Sequence, residues 1–129
     1  LLNRSQYNNS SIKFKVNILA GFLKSAKKLS KKYPSFKKEL QDLIDSLPDD
    51  PRQGSLIIED TYKIRLAIKS KGKGKSSRAR VITNVRVKMK TKDDLTIITL
   101  VEIYDKSDMP SINKNILKEI ISEFILEEE

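Results

Sequence analysis

The sequence predicts an α+β domain, and three observations carry that prediction. Stretches around Ile12–Ile18 and Tyr62–Lys69 alternate apolar and polar residues with a period of two, the mark of half-buried strands. Segments 22–29, 36–47 and 112–124 instead repeat apolar residues at helical spacing. Read together, these signals give one domain of strands and helices, with no internal repeat and no second domain.

Taken in order, residues 1–11 are rich in Asn and Ser and predict a flexible amino-terminal segment; residues 12–129 predict a single domain. In the first strand Ile12, Phe14, Val16 and Ile18 alternate with Lys13, Lys15 and Asn17. Phe22, Leu23, Ala26 and Leu29 then form the apolar stripe of a helix that stops at Tyr33-Pro34, because a residue before proline avoids helical geometry. Ser35 is the expected cap of a second helix with Phe36, Leu40, Leu43, Ile44 and Leu47 on its stripe. The short connection makes the pair a helical hairpin. Pro48, Pro51 and Gly54 mark a turn-rich exit.

Three strands follow. Tyr62, Ile64, Leu66 and Ile68 alternate with Lys63, Arg65, Ala67 and Lys69. A strand over about Arg78–Lys90 puts Val81, Thr83, Val85, Val87 and Met89 on one face, and Arg80, Ile82, Asn84, Arg86 and Lys88 on the other. Thr91-Lys92-Asp93-Asp94 is the expected hairpin connection. Leu95–Tyr104 is almost wholly apolar and predicts a central strand covered on both faces. Pro110 and Ser111 introduce a last helix whose stripe is Ile112, Ile116, Leu117, Ile120, Ile121 and Phe124, and Glu127–Glu129 end it. The predicted order is β-α-α-β-β-β-α.

Composition bounds the chemistry. The chain has no cysteine and no histidine, which removes thiolate metal sites and every mechanism built on imidazole. No metal site and no cofactor is expected, nor a small-molecule ligand. No apolar run is long enough to cross a bilayer, no signal pattern opens the chain, and a cytoplasmic protein without membrane contact is the expectation. Net charge is +9, and it is concentrated: twelve cations and one acid lie between Asp60 and Lys92. Such a stripe is the electrostatic footprint of a polyanion-binding surface, and RNA is the expected polyanion.

Within the stripe, Lys63, Arg65 and Lys69 leave one face of one strand, and Arg80 and Arg86 leave the matching face of the next. Pointing into a core they would repel and resist burial; pointing outward together they make an anion site. Arg78 and the cationic loop with Lys71, Lys73 and Lys75 are candidates for gripping the nucleic acid backbone. Lys73-Gly74-Lys75-Ser76 superficially matches the end of a nucleotide phosphate loop. The required preceding glycine is Lys69, however, and a strand rather than a helix follows.

The segments Tyr62-Lys63-Ile64-Arg65-Leu66, Arg80-Val81-Ile82 and Val101-Glu102-Ile103-Tyr104-Asp105-Lys106, with the helix pair turning at Lys31-Lys32-Tyr33-Pro34-Ser35, resemble the RelE group of the RelE/ParE bacterial toxins. The resemblance runs from about Ile12 to Phe124. It implies a small curved, mainly antiparallel sheet with an amino-terminal helical hairpin on one face and a carboxy-terminal helix. It further implies a type II toxin that cuts messenger RNA in the ribosomal A site, needs no metal, and is silenced by a cognate acidic antitoxin. Lys63, Arg65, Arg80 and Lys106 fall on the family's basic site positions. The family's carboxy-terminal tyrosine has no counterpart after Asp108, so Tyr104 is the substitute candidate. Relatives with a Glu/His pair find no histidine here. A ParE-like gyrase inhibitor and a non-catalytic RNA-binding module are the alternative readings.

RNA cleavage needs a base for the 2′-hydroxyl proton, cations for the charged transition state, and an acid for the leaving oxygen. The candidates are Lys63 as base, Arg65 and Arg80 as phosphate ligands, and Tyr104 or Lys106 as acid. Tyr104 stacking on a base is the other role open to it. Glu102 and Asp105, at the same strand end, are alternative bases.

Overall fold

A computed structural model describes residues 4–7, 13–72, 78–89 and 94–128. The elements are β1 (Arg4–Tyr7), β2 (Lys13–Ile18), α1 (Ala20–Lys32), α2 (Phe36–Ser46), β3 (Ser55–Ile58) and β4 (Thr61–Ala67). After a 3₁₀ turn (Lys69–Lys71) come β5 (Arg78–Lys88), β6 (Leu95–Asp105) and α3 (Lys114–Glu128). The strands form one open sheet in the order β1-β2-β6-β5-β4-β3. Only the β2–β6 pairing is parallel; the rest are antiparallel.

The α+β class holds, with two strands more than expected. Arg4–Tyr7, within the segment expected to be flexible, pairs with β2 at the sheet edge. Ser55–Ile58, in the exit after the helical hairpin, pairs with β4 at the other edge. Both are four-residue strands, too short to show a clear alternation.

β6 is nearly apolar because it lies between β2 and β5 with helices on both sides. On one face α1 and α2 supply Phe22, Ala26, Leu29, Phe36, Leu40 and Ile44 to a core with Phe14, Val16, Ile64, Val81, Ile98, Leu100 and Ile103. On the other, Leu117, Ile121 and Phe124 of α3 pack on Ile82, Val101 and Tyr104. β5 keeps the alternation read from its sequence, with Val81 in the hairpin core and Ile82 in the α3 core. It stops at Lys88, and residues 90–93 of the expected hairpin lie outside the described residues.

β6 departs from a plain alternation. Its register with β5 shifts between Ile82 and Thr83, so Ile82 pairs with Glu102 and Thr83 with Leu100. Val101 is the extra residue of a β-bulge, which swaps the faces of everything after it. Ile103 thereby joins Leu100 in the hairpin core, and Tyr104 joins Val101 under α3.

Two local expectations change. Ser35 stands at the amino end of α2, but its hydroxyl donates to the Glu39 carboxylate (2.9 Å) rather than capping the helix. α3 begins at Lys114, not at Pro110-Ser111, because Asn113 accepts from the N–H groups of Asn115 (2.9 Å) and Ile116 (3.1 Å). That start leaves Ile116 55 % exposed, and the buried stripe narrows to Leu117, Ile121 and Phe124. Among the described residues no helix is long and apolar enough to cross a membrane.

Gly54 precedes β3 and packs against the backbone of β4. Its φ is +90°, and a Cβ there would lie 2.2 Å from the Lys63 carbonyl oxygen. Gly72, at φ +114°, has open space around it. Gly54→Ala therefore suffers backbone strain plus a main-chain clash, whereas Gly72→Ala suffers strain alone. We expect Gly54→Ala to lose roughly 2 kcal/mol or more and Gly72→Ala about 1 kcal/mol. Thermal unfolding checks the order; equal losses would mean that Lys63 moves freely.

Candidate anion site on the sheet

Three strands bring the predicted site residues together. Arg65 of β4 is directly opposite Arg80 of β5, which is directly opposite Tyr104 of β6. Directly opposed residues share a face, with Cβ atoms about 5 Å apart. One pair along, Lys63 lies opposite Ile82; in the other direction, Arg78 lies opposite Ala67. Lys63, Arg65, Arg78, Arg80 and Tyr104 therefore share the α3 face, at the end of the sheet where β6 finishes. Lys106 follows β6 directly and is half-buried.

Arg80 is the unusual member. It is 4 % exposed, and its Nη1 is buried without a hydrogen-bond partner. Burial, then the charges of Arg65 and Arg78, push its pKa down, while Tyr104 acts in the opposite sense. Among the described residues no carboxylate forms a salt bridge with it. A buried guanidinium beside two like charges is costly in isolation and is relieved by an anion.

Tyr104 is 6 % exposed beneath α3. Burial pushes its pKa up, against the pull of Arg80 and a hydrogen bond from the Ile112 backbone N–H. It is thus a neutral phenol, buried beside Arg80.

Both candidate carboxylate bases are committed elsewhere. The bulge turns Asp105 to the hairpin face, where it is 2 % exposed. It accepts from Lys71 Nζ, from the Tyr33 hydroxyl (3.0 Å) and from Ser107 N–H (3.0 Å) and Oγ (2.8 Å). Burial alone would push its carboxyl up; Lys71, Ser107 and Tyr33 more than offset that and hold it at about 2. Glu102 accepts from Ser25 of α1 (2.8 Å) and from the Ile103 N–H (2.9 Å).

The remaining cations divide. Lys71 is held in an ion pair with Asp105 and also bonds Ser107 (3.0 Å). Lys69 is not on the cationic strand face: β4 ends at Ala67 and Lys69 opens the 3₁₀ turn, its N–H donating to Glu39 (2.9 Å). Reciprocal bonds between Ser35 and Ser70 clamp the same turn to the helical hairpin. Lys73 and Lys75 lie outside the described residues. Arg86 shares the face of Arg80 but sits six residues away along β5, beside Lys118 and Ser122 of α3. The Tyr33–Lys71–Asp105 cluster escaped the sequence reading because its members are 34 to 72 positions apart.

The chain matches no family model, no curated protein and no solved structure.

The Asp105 carboxyl, depressed from 3.8 to about 2, stabilises the fold above pH 4 and loses that contribution as pH falls through 2. The shift corresponds to about 2 kcal/mol at neutral pH. Asp105→Asn removes the titrating group, so the stability gap between wild type and variant should narrow from pH 4 to pH 2. Denaturant titrations across that window check it; a gap independent of pH would contradict the assignment.

Proposed function

We propose that the cationic sheet face binds the phosphate backbone of single-stranded RNA, and that the chain is a RelE-like endonuclease that cuts messenger RNA. One observation carries the reading: Arg80, in line with Arg65 and Tyr104, is buried with no counter-ion among the described residues. The element order, with a helical hairpin on one face of a mixed sheet, is compatible with the family fold.

In the proposed reaction a ribose 2′-oxygen bonds to the neighbouring phosphorus as the bond to the 5′-oxygen breaks. The products are a cyclic phosphate and a 5′-hydroxyl. Arg65 and Arg80 bind the non-bridging oxygens, whose charge grows in the transition state. Lys63 is placed to take the 2′-hydroxyl proton, and Lys106 to supply the proton for the leaving oxygen. Tyr104 positions Arg80. An acidic antitoxin would complement the same face and orient its own association electrostatically.

A second reading, a non-catalytic RNA-binding module, draws on the commitment of Asp105 and Glu102, which leaves the face without a carboxylate base. A purified translation reaction with mapped messenger 5′ ends separates the two. New ends should appear with wild type and vanish with Arg65→Ala. RNA binding with intact messenger would establish the module instead.

Arg80→Met offers a distinctive signature. A buried, uncompensated charge replaced by an apolar side chain of similar length should leave the fold as stable or raise stability by about 1 kcal/mol. RNA cleavage should fall at least a hundredfold. A variant that unfolds, or one that keeps full activity, counts against the site.

Affinity should also fall with salt, with a log–log slope of about −0.7 for each phosphate contacted on a single strand. Arg65→Ala and Arg78→Ala should each flatten the slope by about one such contact. A slope unchanged in both would move the contact surface elsewhere.

A further inference from the structure

A cleft opens on the same sheet face, between β5 and the carboxy-terminal half of α3. Its volume is about 340 Å³, within the range of roughly 300–1,000 Å³ typical of small-molecule pockets. Ile58, Ile121 and Ile125 give it apolar walls, and Asn84, Arg86, Lys118 and Ser122 give it polar edges. The Glu59-Asp60 turn closes one side.

Asn84 is the informative residue. It is 2 % exposed, and its Oδ1 has no hydrogen-bond partner. Its orientation follows from its neighbours. Thr61 Oγ1 donates its one proton to the Glu59 carbonyl (2.8 Å) and so can only accept from Asn84. Asn84 must therefore present Nδ2 to Thr61 (3.1 Å), which turns Oδ1 away from it as an unused acceptor. A buried acceptor left unpaired is costly and calls for a donor.

The lining balances two acids against two cations, so it does not select a charged ligand. It does select a flat one with N–H donors and carbonyl or ring-nitrogen acceptors on its edge, packed between aliphatic side chains. We infer that this cleft receives a nucleobase, unstacked from the bound strand, with its N–H edge toward Asn84 and its acceptors toward Lys118 and Arg86. Single-stranded RNA is read in this manner, through base edges and apolar faces. The inference rests on the RNA reading above and adds base selectivity at a place remote from Arg80.

The test uses the four ribonucleosides, which carry no phosphate, titrated one at a time into the full chain and followed by amide chemical shifts. At least one should move the Asn84, Ser122 and Ile58 amides and saturate. Ser122→Trp, at an exposed helix position, should fill the cleft and weaken that nucleoside at least tenfold while amide dispersion stays native. Arg80→Met should leave nucleoside binding unchanged, so failure here is separable from failure of the phosphate site. Nucleosides that leave these amides unmoved, or binding that survives Ser122→Trp, would overturn the inference. So would a wild type that binds every homopolymer RNA equally and whose preference is unchanged by Ser122→Trp.

Discussion

The register of β4, β5 and β6 is the constraint on which the site depends. It sets Arg65, Arg80 and Tyr104 side by side, and it does so through a bulge at Val101 that turns Tyr104 toward Arg80 and Asp105 away from it. Had β6 continued its alternation, Asp105 would face the arginines and neutralise them. The bulge thus separates charge: the carboxylate engages Lys71 and Tyr33 beneath the helical hairpin, and the guanidinium on the opposite face has no acid partner among the described residues.

That separation links folding to function. The Asp105 cluster ties the end of β6 to the carboxy-terminal end of α1 and to the turn after β4, with Lys32 and Lys71 both near the Tyr33 ring (5.4 and 5.7 Å to the centroid). Ser35, Ser70 and Glu39 close the same junction. Gly54 lets the chain pass close to the Lys63 carbonyl at the other edge. Strands anchored in this way can hold like charges together, because the cost is met by packing elsewhere in the sheet.

Much of this was legible in the sequence where strands keep a strict period of two. The alternation over Tyr62–Ala67 and over Arg78–Lys88 places Lys63, Arg65, Arg78 and Arg80 on one face, and the structure has them there. The near-apolar run of β6 marks a central strand, which it is. Three features were not legible. A bulge leaves no local sequence mark at Val101, so nothing in the sequence shows that Asp105 turns away from the cationic face while Tyr104 stays on it. The end of β4 at Ala67 removes Lys69 from the cationic row. The ion pair of Lys71 depends on a partner far along the chain. Each is a tertiary outcome that overrides a correct local pattern.

In the proposed function Arg80 receives a phosphate of the RNA, and its own side-chain resonance reports on that most directly. Titration of the chain with single-stranded RNA at low salt, followed through the arginine Nε–Hε signals, should shift and saturate Arg80 together with Arg65, and added salt should reverse both. Arg80 and Arg65 signals that both stay in place while RNA binds would contradict that reading.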